Sequence, residues 1–163
     1  MASIEELESP SFELAAQWLS KPRINRWLTG EWRGRDVKPQ TIVMAVRNRR
    51  NLFFLIRHDG QPCGLVCLSD VDYADRSAMI WYILGEEALA AKGIVTEAVK
   101  QLTEIAFSRM NLASVYAWTM ADNLASQRVL HKAGFREAGR LRLASCSGGV
   151  QVDRIYFDLV AMI

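Results

Sequence analysis

The chain has 163 residues, of which half are apolar and 23% charged, and its formal net charge is +2. That length and balance suit a single globular domain, 1–163, with one core. The charge is too small for a nucleic-acid partner, no apolar run is long enough to span a membrane, and Met1-Ala2-Ser3-Ile4-Glu5-Glu6 lacks the basic and apolar regions of a signal peptide, so a cytoplasmic location is expected.

The residues available for a first strand, Ser3 to Leu7, are acidic and weak, so that strand is expected to be short or missing. Ser9-Pro10 reads as an N-cap followed by proline at the first helical position. Phe12, Ala15, Ala16 and Leu19 then form a helical stripe that ends at Lys21-Pro22, and Pro22 to Leu28 reads as a second short helix. Thr29 to Asp36 is a glycine-containing, charged loop, and Pro39 opens a helix that should run to about Arg50. Asn51 to Arg57 and Pro62 to Ser69 read as strands joined by the hairpin turn His58-Asp59-Gly60-Gln61. Asp70 to Arg76 is a polar turn.

Cys63 and Cys67 are expected on one face of the returning strand, too far apart for an easy disulfide, as buried and unreactive thiols. With Cys146 as the third cysteine and only two histidines, no metal site is expected.

The stretch from Met79 to Phe135 carries the chemistry. Met79-Ile80-Trp81-Tyr82-Ile83-Leu84 has the content of a buried strand. Gly85-Glu86-Glu87 breaks it, and after Ala90-Ala91-Lys92-Gly93 comes a long amphipathic pattern, with Val95, Ala98, Val99, Leu102, Ile105, Ala106 and Met110 on one stripe. Lys92-Gly93 therefore sits where a strand hands over to a helix N-terminus. Free backbone N–H groups there, the helix dipole, a lysine charge and a glycine that admits close approach make the parts of a phosphate cradle. Ser114 to Met120 reads as a strand, and Asn123 to Ala133 as a helix capped by Asp122 or Asn123 and stopped by Gly134. Phe135 opens a strand to about Leu143, Ser145 to Gly149 is a turn, and Val150 to Ala161 is the last strand. The whole predicts an α/β domain of the α+β type, with a mixed, mostly antiparallel sheet of six to seven strands flanked by helices.

Lys92-Gly93-Ile94, Thr96-Glu97-Ala98 and Asn123-x-x-Ser126-x-Arg128-Val129-Leu130-x-Lys132-x-Gly134-Phe135 resemble the core of the GNAT superfamily of N-acetyltransferases, and within it the branch of the ribosomal-protein N-terminal acetyltransferases. The resemblance covers roughly the last two-thirds of the chain. It implies an acyltransferase with acetyl-CoA as co-substrate and an amine acceptor, acting by direct attack in a ternary complex, as a monomer or homodimer. It also implies a cofactor site at Ile83, Leu84, Lys92, Gly93, Ile94, Val95, Thr96, Asn123 and Ser126. Ser126 is assigned to stabilising or protonating the departing thiolate, because Leu130 stands where relatives often carry a tyrosine. Ala90 and Val95 depart from the family's pyrophosphate loop, and with Met79 and Leu130 they favour the alternative, a degenerate acyl-CoA-binding module.

Trp27, Trp32, Arg33 and Arg35 form an aromatic and basic cluster. Trp27, Trp32 and Arg33 are the candidate acceptor residues, and the arginines would suit a carboxylate or phosphate on the acceptor. The acceptor stays open among a peptide N-terminus, an amino sugar, a polyamine and a small drug-like amine. No general base is evident: Met79 stands where many relatives have glutamate, and Asp70, Asp72, Tyr73, Glu86, Glu87, Asp153 and Tyr156 are candidates of equal weakness.

Overall fold

The computed structural model describes residues 1–162. Its seven strands are β1 (Ala2–Glu6), β2 (Leu52–His58), β3 (Gln61–Asp72), β4 (Ser77–Leu84), β5 (Ser114–Met120), β6 (Arg136–Ser147) and β7 (Val150–Val160). The helices are α1 (Phe12–Leu19), α2 (Pro22–Asn25), α3 (Pro39–Arg47), α4 (Ile94–Ser108) and α5 (Leu124–Lys132). One sheet runs in the order β1-β2-β3-β4-β5-β7-β6. Every pairing is antiparallel except β4 with β5, the two strands that α4 connects. The α+β expectation and the count of strands hold.

The apolar interior lies in two layers rather than one. Ile94, Ala98, Val99, Leu102 and Ala106 of α4 and Leu130 of α5 pack on one face of the sheet. Ala15, Ala16, Trp18 and Leu19 of α1, with Ile24, Ile42 and Trp32, cover the other. The first strand is short but present: β1 pairs with β2 over five residues. Sheet pairing supplies what local propensity lacks, and α4 holds the strand further, with Gln101 donating to the Ala2 carbonyl at 2.9 Å.

Several boundaries move. Ser9-Pro10 begins a 3₁₀ turn, Ser9–Ser11, rather than α1 itself. The helix at Pro22 stops at Asn25, and α3 stops at Arg47. β3 runs through Ser69 to Asp72 across a bulge, and β6 continues to Ser147, so the final turn is Gly148-Gly149 alone. Cys63 and Cys67 do not share a face: Cys63 belongs to the α4-side layer and Cys67 to the α1-side layer. The cause is a bulge. Ile56 pairs with Gly64 but Arg57 pairs with Pro62, leaving Cys63 as the extra residue that shifts the parity of the strand.

Candidate active site

The sheet opens in its middle. β4 and β5 pair only over Ser77–Met79 and Ser114–Tyr116, although both strands continue. Beyond that point β5 stays with β7 up to Met120, while β4 stays with β3 up to Leu84. The gap leaves ladder groups of β4 free to bond a ligand. Two hollows meet across it.

The first, of about 500 Å³, lies over the N-terminus of α4. Gly93 caps that helix with φ of +76°, a left-handed conformation that glycine adopts without strain. Nothing lies within 4 Å of where its Cβ would sit. Gly93, Ile94, Val95 and Thr96 line the hollow, so an anion seated there would meet the free N–H groups of the first helical turn. Ile83, Leu84, Lys92, Gly93, Ile94, Val95, Thr96, Asn123 and Ser126 all line this hollow. So do Arg23, Arg128 and Lys132, which make it basic. Arg23 is partly engaged, donating to the Gly85 carbonyl at 2.8 Å and facing Glu87 at 3.7 Å. Val95 packs against the α4-side core and also lines the hollow, so its extra bulk serves the sheet without filling the cradle.

The second hollow, of about 350 Å³, is lined by Trp27, Trp32, Trp81 and Trp118, by Asn48, Asn51, Ser69 and Thr119, and by the carboxylates Asp70 and Glu31. Five residues line both hollows: Trp27, Leu28, Tyr82, Asn123 and Ser126. They form the passage between the two.

Asn123 caps α5, its Oδ1 accepting from the Ser126 N–H at 3.2 Å. That fixes Ser126 in the first turn, facing β4. There the Tyr82 hydroxyl lies 2.8 Å from Ser126 Oγ and donates to the Ser126 carbonyl at 3.1 Å. Burial pushes the Tyr82 phenol well above its ordinary range, with the Ser126 bond acting in the opposite sense. The phenol therefore keeps its proton at neutral pH. Leu130 is fully buried, as its apolar character requires, and the phenol at this junction comes from β4 instead. Sequence reasoning missed Tyr82 because nothing in its strand distinguishes it from Trp81 or Ile83; only the sheet's opening turns it toward α5.

The acceptor-side assignments divide. Trp27 and Trp32 line the second hollow, with Trp32 packed 5.8 Å from Trp81. Arg33 does not: its Nε and Nη2 donate to the Leu28 carbonyl at 3.0 and 2.8 Å, tying the 29–36 loop to itself. Among the described residues no lysine or arginine lines this hollow, so the expectation of a carboxylate or phosphate partner is corrected. Of the candidate bases, Glu86 accepts from Trp18 Nε1 at 3.0 Å, Glu87 faces Arg23, and Asp72 accepts from the N–H groups of Ala74 and Asp75. Asp153 is held below the usual carboxylate range, first by the Leu143 N–H and then by Arg140. Asp70 alone of that set lines the second hollow.

Known proteins carry the same architecture. A Bacillus subtilis (strain 168) protein whose name proposes a ribosomal N-acetyltransferase, YdaF, is 32% identical over 103 residues, which is 63% of this chain and 56% of that protein. A second relative from the same organism is matched over 42% of its length, so the chain spans about half the length of these curated relatives. The Mycobacterium smegmatis RimJ structure with CoA-disulfide superposes with a TM-score of 0.81 at 23% identity, covering 98% of this chain and 82% of that one. The Vibrio cholerae spermidine N-acetyltransferase with CoA and spermine does so with a TM-score of 0.85 at 17% identity, covering 98% and 95%. At those identities the two structures speak for the fold alone. The family described as the acetyltransferase (GNAT) domain matches residues 4–136, and the chain belongs to that family.

Proposed function

We propose that the protein is an acetyl-CoA-dependent N-acetyltransferase whose acceptor is a small primary amine. The observation that carries the reading is the meeting of a basic hollow at the α4 N-terminus with an acidic, aromatic hollow at Tyr82, Asn123 and Ser126. The pyrophosphate of CoA fits the N–H groups after Gly93, with Lys92, Arg128 and Lys132 around it. The pantetheine arm fits the opening between β4 and β5, where unpaired backbone groups can bond its amides. Its sulfur then arrives at the passage between the hollows. A hollow of about 350 Å³ is at the small end for ligand sites, which favours a small amine over a peptide.

In the reaction the neutral amine attacks the thioester carbonyl. The C–N bond forms, the C–S bond breaks, and the amine's surplus proton leaves to solvent. The thiolate takes a proton that solvent supplies through the Ser126 hydroxyl, which the neutral Tyr82 phenol holds in place by a hydrogen bond. An α-amine with a pKa of about 7.7–8.0 is neutral often enough at pH 7 to react without a base, whereas an alkylamine near about 10.4 is neutral about once in a few thousand. Rates with alkylamines should therefore climb with pH. The test is release of free CoA thiol from acetyl-CoA with a panel of small amines, amino sugars and N-terminal peptides. Thiol release with peptides and none with small amines would reject the acceptor class. None with any amine, despite CoA binding by calorimetry, would reject the transfer itself.

A further inference from the structure

Thr119 is only 3% exposed and lines the second hollow, yet its hydroxyl has no partner among the described residues. A buried hydroxyl left unpaired costs stability, so it points to a ligand group that completes it. The sheet indicates which group. Val115 and Ala117 of β5 belong to the α4-side core, and so does Ile155, which pairs with Thr119 on β7. By alternation Thr119 faces that same side, where α5 lies. On β4, Ile80 belongs to this core and Tyr82 packs against it. The aromatic wall takes the opposite face: Trp81 packs against the α1-side layer, and Trp118 alternates with Ala117 and Thr119. The parallel register of β4 and β5 ends at Met79 opposite Tyr116. Carried three residues farther on each strand, it sets Thr119 level with Tyr82, about 10 Å beyond the last paired residues. Thr119 and Tyr82 thus stand on opposite banks of the gap, on the cofactor's side of the sheet. Tyr82 is bonded to Ser126, which serves the sulfur in the proposed reaction, and Thr119 is uncommitted.

Resting on the reading of this site as an acetyltransferase centre, we infer that Thr119 is a catalytic residue whose hydroxyl, facing Tyr82 across the opened β4–β5 gap, donates a hydrogen bond to the thioester oxygen. That oxygen is on the carbon bonded to the sulfur, so it enters the gap together with the sulfur that Ser126 meets. As the amine forms the C–N bond, the carbonyl π pair moves onto the oxygen and leaves it negative. When the C–S bond breaks, the pair returns and the carbonyl of the amide is restored. Thr119 keeps its own proton throughout and only donates. A donor fixed on a strand and shielded from water stabilises that charge far more than solvent does, because it need not reorient as the charge grows. A hydroxyl with no partner in the free protein also has no bond to surrender before it donates.

The experiment replaces the hydroxyl while keeping the shape. In Thr119→Val, single-turnover thiol release at saturating amine should slow by about a hundredfold to a thousandfold, as for loss of one oxyanion donor. KM for the amine and for acetyl-CoA should change little, because the bond strengthens only as the charge develops. Thr119→Ser restores a hydroxyl and should recover most of the rate. The denaturation midpoint of free Thr119→Val should match or exceed that of the unaltered protein, because an unpaired hydroxyl is removed. An undiminished rate in Thr119→Val, a loss confined to KM for the amine, or a lowered midpoint overturns the inference while leaving amine acetylation standing. If no amine releases thiol, the infrared band of carbonyl-labelled acetyl-CoA bound to the protein still decides. The band should lie at lower frequency in the unaltered protein than in Thr119→Val, as a hydrogen bond to the carbonyl requires. Identical bands overturn the inference, and a protein that binds no acetyl-CoA overturns the cofactor reading and this inference with it.

Discussion

Replacing Ser126 with alanine isolates the chemical step. Its Oγ lies 2.8 Å from the Tyr82 hydroxyl in the passage that both hollows share. The departing thiol has a reference pKa of about 8.5, so it can leave without full protonation. Ser126→Ala should therefore slow kcat by about tenfold to a hundredfold, at or below the usual range for a positioned acid. That is a rise in the barrier of about 1.4 to 2.7 kcal/mol. Tyr82→Phe removes one hydrogen bond to that hydroxyl, worth about 0.5–1.5 kcal/mol, and should slow kcat by about twofold to tenfold. If Tyr82 acts through Ser126, the double variant should be no slower than Ser126→Ala alone, and the coupling energy should equal the whole effect of Tyr82→Phe. The assay is single-turnover thiol release, where chemistry is observed directly, with KM for acetyl-CoA expected to move little. Additive effects would show that Tyr82 does not act through Ser126. A Ser126→Ala protein with an undiminished single-turnover rate would reduce the serine to a helix-start residue.

Gly93→Glu should abolish CoA binding by calorimetry, because the side chain enters the cradle, adds negative charge and strains a backbone at φ of +76°; unchanged affinity would place the cofactor elsewhere. Gly85→Ala should lower stability by about 1–3 kcal/mol in urea, since its Cβ would fall 2.2 Å from the Trp18 ring, buried at 1% exposure. Burial raises the Cys67 thiol and the Tyr82 phenol above their ordinary values, so the unfolded chain loses those protons first. Stability should thus fall as pH rises above about 8.5 for the thiol and about 10 for the phenol, by up to about 1.4 kcal/mol per pH unit for each group, and Cys67→Ala should flatten the first part of the denaturation-midpoint profile. Arg33→Ala should leave the KM for amines far less changed than Asp70→Asn does, while loosening the 29–36 loop in hydrogen exchange, because its guanidinium is bound to the Leu28 carbonyl.

What the sequence discloses here follows the range of the interaction. The helix start at Gly93 is legible because it is local: a strand end, Lys92-Gly93 and a helix stripe lie within a few residues, and all nine residues proposed for the cofactor line one hollow. The α5 cap was legible for the same reason, with Asn123 and Ser126 three residues apart. Tyr82 and Thr119 were not, since both look like ordinary strand residues until the sheet parts beside them. Strict alternation along the strand puts Cys63 on the face of Cys67, and one bulge reverses it. Arg33 misled because its charge suggested a ligand, whereas its partner is a carbonyl five residues away.

The parting of the sheet explains why the site needs so few specific residues. β5 pairs with β7 over seven residues but with β4 over three, so the sheet behaves as two blocks, β1–β4 and β5-β7-β6, joined at Ser77–Met79. The α4-side core continues across both blocks, with Ile80 and Val66 from one and Ala117, Ile155 and Phe157 from the other. Apolar packing therefore holds the blocks together without fixing the width of the gap at its open end. Specific polar ties do that. Tyr82 of β4 reaches Ser126 of α5 across the gap, and Ser147 at the end of β6 donates to Asp122 at 2.6 Å while accepting from Arg26 at 3.5 Å. Under the proposed function, a bond between Tyr82 and Ser126 would have two consequences at once: it would set the separation through which the thioester passes, and it would place a neutral phenol beside the hydroxyl proposed to meet the sulfur. Rates with acetyl-CoA alone do not divide these consequences, but rates across acyl chain lengths do. Loss of the tie should alter the rates of longer acyl thioesters relative to acetyl, whereas loss of the proton donor should slow every acyl group by the same factor. Comparing acetyl-, propionyl- and butyryl-CoA in Tyr82→Phe separates a change of width from a change of acidity.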